Sequence, residues 1–342
     1  MDARALRCGC ALGLVCALAL AACAPTIDSA GPPIQAPELR AETPAPPHVD
    51  EIFVASDGAR LPVERWLPKE KPKAVILALH GMDDYANAFA LPGPWWAAHG
   101  IATYAYDQRG FGRAPHPGIW AGTESMDADF DAFAALLHRR YPGTPLFALG
   151  ESMGGAVVMT ALAARDHPKV AGIILAAPAV WGRSTMDLGK RVALWLAVHT
   201  VPGLEVTGRG LNIVPSDNEK MLIALGRDPL VLKSTRIDAI WGVVNLMDKA
   251  LADSSKLDAA PLLILYGERD QIIPRAPTRE MIARLPKGDR VTVALYPHGY
   301  HMVLRDLEAK TVWNDVLHWI DDRDAPLPSG ADKIGAKEFG GR

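Results

Sequence analysis

A lone serine, Ser152, stands in Leu149-Gly150-Glu151-Ser152-Met153-Gly154-Gly155, which carries the pattern G-x-S-x-G. A serine hydroxyl is a poor nucleophile until an imidazole takes its proton and a carboxylate holds that imidazole in one tautomer. Both partner types follow in the chain, the carboxylate in Gly267-Glu268-Arg269-Asp270 and the imidazole in Pro297-His298-Gly299-Tyr300-His301. Two histidines, His298 and His301, therefore compete for one role. Upstream, His80-Gly81-Met82 offers a turn in which glycine lets backbone approach a bound oxygen. The N–H groups of Met82 and of Met153, the residue after the serine, would together hold a developing oxyanion. The chemistry these types permit is acyl transfer through a covalent serine intermediate.

Such residues act only if the fold gathers them. The run 145–149 reads as a short buried strand, and the small and apolar residues of 156–164 read as a helix, so Ser152 falls on a strand-to-helix turn. A turn that sharp needs glycine two residues before and after the serine, and it aims the positive end of the helix at the reacting oxygen. Further apolar runs at 74–79, 101–106, 170–176, 261–266 and 291–296 alternate with helical segments, while 51–56 and 61–66 flank Asp57-Gly58 as a hairpin. This is an α/β pattern: a mostly parallel sheet with helices on both faces. Ligand sites in such sheets gather at the carboxyl ends of the strands, where each residue singled out above lies. Between 179 and 257 the alternation stops, and Trp181, Trp195 and Trp241 fall in this insertion. Its run 192–198 is apolar nearly all round, so it either packs against the body, which is the commoner case, or lies against lipid.

Composition bounds the class. A chain of 342 residues with 49% hydrophobic content can bury a large core, and a formal charge of -3 gives no basic signal for nucleic acid. The four cysteines, Cys8, Cys10, Cys16 and Cys23, crowd the N-terminus, so no disulfide supports the rest. Arg4 and Arg7 precede an uncharged run from 8 to 22, which reads as a secretory signal over 1–22. Prolines at 25, 32, 33, 37, 44, 46 and 47 make 23–48 a linker, and such coil extends at up to about 3.1 Å per residue. The catalytic-type residues fall in a domain over 49–323, and 324–342 reads as a disordered tail.

The chain order serine, aspartate, histidine is that of the α/β-hydrolases, and from about 51 to 320 the sequence resembles their monoacylglycerol lipase and lysophospholipase branch. His80-Gly81 is similar to that family's oxyanion loop, Asp107-Gln108-Arg109-Gly110-Phe111-Gly112 to its D-x-R-G-x-G turn, and Gly150 to Gly155 to its nucleophile elbow. Tyr300-His301 matches its Tyr-His pair, which favours His301 over His298. The chain departs at Glu151, where the commonest family elbow has histidine. The resemblance implies an α/β-hydrolase fold with a cap over 179–257, and a serine ester hydrolase acting on monoacylglycerol or lysophospholipid-like esters. Ser152 would be the nucleophile, His301 the base and Asp270 its orienting partner, with no metal or organic cofactor. Asp107 and Arg109 would brace a turn. Two alternatives are an aminopeptidase-like peptidase and a non-catalytic lipid-binding envelope protein. Dehalogenase and epoxide hydrolase relatives use aspartate where Ser152 stands. Separately, Leu20-Ala21-Ala22-Cys23 resembles the lipobox of bacterial lipoproteins, which implies cleavage before Cys23 and its acylation. Ala24 in place of aspartate then implies the outer membrane.

Overall fold

The computed structural model describes residues 24–41, 49–286 and 290–340. The expected signal segment and Cys23 lie outside them. The strands are β1 (Glu38–Arg40), β2 (Glu51–Val54), β3 (Arg60–Trp66), β4 (Ala74–Leu79), β5 (Ile101–Tyr106), β6 (Leu146–Glu151), β7 (Gly172–Ala176), β8 (Glu205–Val206), β9 (Thr235–Arg236), β10 (Leu262–Gly267) and β11 (Val291–Tyr296). The helices are α1 (Pro92–Ala98), α2 (Thr123–Arg140), α3 (Met153–Leu162), α4 (Leu188–Thr200), α5 (Glu219–Arg227), α6 (Ile237–Asp253), α7 (Arg275–Arg284), α8 (Ala309–Asp321) and α9 (Ala331–Phe339).

One sheet runs β1-β2-β3-β5-β4-β6-β7-β10-β11, and β8 pairs with β9 apart from it. The strands from β5 to β11 in that order are parallel, whereas β1, β2 and β3 pair antiparallel. β4, β5, β6 and β10 read as near-continuous apolar runs because helices cover both faces and every residue of those strands is buried. Alternate residues still go opposite ways. Leu262 and Ile264 join the core beneath α2, α3 and α6, with Phe130, Phe133, Val157 and Leu246. Leu263 and Leu265 join the core beneath α1 and α8, with Trp96, Trp313 and Trp319. Burying one such aliphatic side chain contributes about 1.5–3 kcal/mol, so the two layers fix the strand register. Leu79 stands opposite Gly150, Glu151 opposite Ala176, and Gly267 opposite Tyr296. The carboxyl ends of β4, β6, β7, β10 and β11 thus finish level, and the loops leaving them meet.

Four expectations change. The arm 24–41 does not stand free as a linker: Thr26 N–H donates to Asp238 at 3.0 Å, Asp28 N–H to the Trp120 carbonyl at 2.8 Å, and β1 pairs with β2. An edge strand needs partners on one side only, so a proline-bracketed segment can serve there. The tail is not without structure either, since α9 lies along β11, so close that a Cβ on Gly335 would collide with the Val293 carbonyl. Only glycine permits that approach, and the Phe339 ring then meets Tyr266 edge-on with centroids 5.9 Å apart. Within 179–257, α6 belongs to the body, where it packs on α3, and the cap proper is α4, the β8–β9 ribbon and α5. The apolar run of α4 is not buried against the body as expected. Val192, Trp195 and Leu196 are about half exposed, and Val198 is the buried residue of that helix.

Candidate active site

Ser152 sits between β6 and α3 with φ +53° and ψ −115°, in the region that side chains disfavour. Its backbone is held there on both sides. Its N–H donates to the Ala176 carbonyl at 2.9 Å, and its carbonyl accepts from Ala179 at 2.9 Å. A Cβ on Gly150 would strike the Gly154 backbone, and one on Gly154 would strike the Leu79 carbonyl. Those two glycines let α3 dive against the end of β4, which leaves Ser152 partly exposed at the carboxyl end of the central strands while Met153 is buried. Met153 opens α3, so its N–H is among the helix-start donors that lack an intrahelical acceptor.

The loop after β4 comes up beside the serine. A Cβ on Gly81 would lie 3.4 Å from the Ser152 Cβ and 4.0 Å from its Oγ, so this backbone flanks the hydroxyl and Met82 follows directly. His80 fixes the loop from below. Fully buried, it donates from Nδ1 to the Gly81 carbonyl at 2.8 Å and accepts the Gln108 N–H at Nε2 at 2.9 Å. Those partners require the neutral ring, and burial lowers its pKa to about 4. The Gln108 side chain donates back to the His80 carbonyl at 2.9 Å. His80 is a brace, not a base.

Asp270 and His301 meet from the loops after β10 and β11. The His301 Nδ1 donates to Asp270 Oδ2 at 2.8 Å, while Asp270 Oδ1 accepts the N–H groups of Ile272 at 2.7 Å and Ile273 at 3.0 Å. This arrangement leaves His301 Nε2 as the lone-pair nitrogen. His298 goes elsewhere. It is exposed, and its Nδ1 accepts from Arg269 at 3.0 Å. Asp107 and Arg109 brace the β5 loop: Asp107 accepts the Ala86 N–H at 3.0 Å and the Arg113 N–H at 2.8 Å, and Arg109 forks onto Asp57 and Asp129 at 2.7–2.9 Å.

The residues that sequence reasoning missed are Asp84 and Arg305. The Arg305 guanidinium is buried and donates to Asp84 Oδ2 at 2.7 Å and to Glu151 Oε1 at 3.0 Å. A signal did exist, because Glu151 ends an otherwise apolar strand next to Ser152, and a carboxylate buried there demands a cation. Nothing in the sequence says which cation, since Arg305 lies 154 residues from Glu151 and 221 from Asp84.

A parallel sheet with an antiparallel edge, a strained serine between strand and helix, and a cap inserted between β7 and β10 define the α/β-hydrolase fold with its nucleophile elbow. The chain belongs to the family described as serine aminopeptidase, S33, whose model matches residues 70–308. It is 28% identical over 272 residues to the monoacylglycerol lipase of Mycolicibacterium smegmatis, covering 79% of this chain and 96% of that one. To human monoglyceride lipase it is 26% identical over 286 residues, covering 80% and 90%. Among solved structures, a soluble variant of the Saccharomyces cerevisiae monoglyceride lipase with a substrate analogue superposes with a TM-score of 0.69 at 22% identity. That match covers 86% of this chain and 99% of the yeast enzyme and speaks to fold.

Proposed function

We propose that the chain hydrolyses carboxylic esters of the monoacylglycerol or lysophospholipid class through an acyl-enzyme on Ser152. The observation that carries the reading is the His301–Asp270 pair, buried at the sheet end where Ser152 stands at positive φ. In this mechanism the Ser152 Oγ attacks the ester carbonyl carbon as His301 Nε2 takes its proton. The carbonyl oxygen becomes an oxyanion, held by the N–H groups of Met82 and Met153. Collapse of that intermediate breaks the C–O bond to the alcohol, which leaves with the proton from His301. Water, deprotonated by the same Nε2, then attacks the acyl carbon; the bond from that carbon to Oγ breaks, the acid leaves, and the His301 proton returns to Ser152 Oγ. Asp270 keeps the imidazole in the productive tautomer and steadies its cation.

Lipid esters are favoured over peptides by the cap. Leu188, Val192, Trp195 and Leu196 of α4 are about half exposed or more, and a groove of about 320 Å³ on this element is lined by Arg183, Leu188, Arg191, Val192, Trp195 and Trp241. An apolar surface of this extent suits a substrate that resides in lipid. The test is a hydrolysis panel of monoacylglycerols, lysophospholipids and aminoacyl amides. Glycerol and phospholipid esters should be cleaved best; faster cleavage of aminoacyl amides would move the assignment to a peptidase.

The same reading places the mature chain on a membrane through acylated Cys23, at the bacterial outer membrane, supported by the lipobox-like Leu20-Ala21-Ala22-Cys23. Thr26, three residues on, is tied to Asp238 and Arg236 beside the cap segment that carries exposed Val201 and Leu204. Three residues span ~10 Å, so the anchor would hold the body close to the lipid and near its cap. When expressed in a bacterium that processes lipoproteins, wild type should enter the detergent phase and Cys23→Ser should not; equal partitioning rejects the anchor.

A further inference from the structure

Three loops must keep register for the proposed reaction: the one carrying Met82, the elbow carrying Ser152, and the turn carrying His301. One side chain touches all three. Arg305 stands in the His301 turn, which is closed on itself by Tyr300 N–H donating to Asp306 Oδ2 at 2.7 Å and Arg305 N–H to the Met302 carbonyl at 2.7 Å. Its NH1 reaches Asp84, two residues past Met82, and its NH2 reaches Glu151, the residue before Ser152. Asp84 is in turn fixed to its own loop, accepting the Tyr85 N–H at 2.9 Å. We infer that Arg305 is a positioning residue for catalysis, a clasp through Asp84 and Glu151 that sets the oxyanion loop and the nucleophile against the base.

Stability alone is a poor reason for such a trio. Arg305, Asp84 and Glu151 are all nearly excluded from solvent, Arg305 being 4% exposed and Glu151 2%. Two carboxylates against one guanidinium leave an excess negative charge, with Glu151 Oε2 and Arg305 Nε buried and without a partner among the described residues. Apolar side chains of similar volume commonly stabilise a core as well or better. What the ions add is direction. A planar guanidinium offers separate N–H groups at fixed angles, so each carboxylate is held at one place, and lysine cannot reproduce that fork. A displacement of about 1 Å between reacting groups costs on the order of 100-fold in rate. The departure at Glu151 from the family's common histidine therefore has a partner, and the partner belongs to the catalytic turn.

This inference rests on the ester hydrolase reading, so the experiment separates the two. Arg305→Lys keeps the cation and loses the fork. The combined Arg305→Met, Asp84→Asn and Glu151→Gln variant removes all three charges at similar volume and leaves no buried ion unpaired. Each is assayed for kcat and KM on a soluble butyryl ester, for the rate of Ser152 labelling by a fluorophosphonate, and for thermal unfolding. Both should unfold within a few degrees of wild type and keep KM within about threefold. Their kcat and labelling rate should fall together by about 100-fold. A folded variant with kcat within about threefold of wild type overturns the inference. So does a neutral triple variant that fails to fold, because the trio would then hold the core and not the register. Wild type that neither labels nor turns over any ester would sink the hydrolase reading itself, whatever the variants do.

Discussion

The backbone N–H of Gln108 donates to His80 Nε2 at 2.9 Å, so the loop after β5 holds the loop after β4 through a ring that must stay neutral. Burial lowers the His80 pKa to about 4, below the ordinary histidine value near 6.5. Above pH 6.5 folded and unfolded chains are both neutral at this residue. As pH falls below 6.5 the unfolded chain takes the proton first, so stability is lost progressively down to about pH 4. That single group should cost about 3 kcal/mol over the window. Urea titrations from pH 7 to 4 should show the loss, and His80→Gln should flatten it; equal slopes in the two proteins would contradict the assignment.

Asp83 ties the same loop to the cap. The Thr235 hydroxyl donates to Asp83 Oδ2 at 2.6 Å, and the Leu232 N–H donates to the Asp83 carbonyl at 2.9 Å. Burial raises the Asp83 pKa to about 6, so its contribution to stability is present below about pH 4 and lost as pH rises through 6. Thr235→Val removes a hydrogen bond that favours the ionised carboxylate. It should lower stability by about 1–3 kcal/mol at pH 8 and by less at pH 5. An equal loss at both pH values would show that Asp83 does not titrate there.

Much of this architecture is legible in the sequence because the central strands are buried on both faces, and such strands cannot be written without unbroken apolar runs. The strands expected at 74–79, 101–106 and 291–296 match β4, β5 and β11 residue for residue. The placement of Ser152, Asp270 and His301 at the strand ends is legible for a related reason, since each follows such a run. The edge elements are not. β1 is three residues, Glu38–Arg40, and takes its pairing from β2, while α9 is a polar nine-residue helix whose placement depends on the small Gly335 against Val293. Neither carries a pattern that its own sequence enforces. The Arg305 trio stays hidden because tertiary structure alone selects one arginine among many for a carboxylate 154 residues away.

The exposed cap predicts a dependence on acyl chain length. Each methylene buried contributes about 0.8 kcal/mol, so four added carbons should improve kcat/KM by up to about 3 kcal/mol in transition-state binding. Trp195→Ala and Leu196→Ala, which shorten half-exposed side chains of α4, should flatten that dependence and leave acetyl ester hydrolysis intact. Wild type that prefers acetate to octanoate would remove the lipid assignment.

The role of His301 is separable from that of its neighbour. His301→Ala should abolish turnover, while His298→Ala, which loses only an exposed contact with Arg269, should stay within about threefold of wild type. Asp270→Asn should lower kcat by up to about 10⁴-fold through the wrong imidazole tautomer. If His298→Ala were the inactive variant, the Nδ1–Asp270 pair would not be the working one.

The central claim is that Ser152 forms the acyl-enzyme, and the most direct measurement is monoacylglycerol hydrolysis by wild type and Ser152→Ala, with mass spectrometry of the quenched wild-type reaction. Wild type should turn over and carry one acyl mass on the peptide containing Ser152. Ser152→Ala, which leaves no cavity in the core, should fold normally, carry no acyl group and lose at least about 10³-fold in kcat. Substantial hydrolysis by Ser152→Ala, or an acyl group on another residue in wild type, would contradict the mechanism.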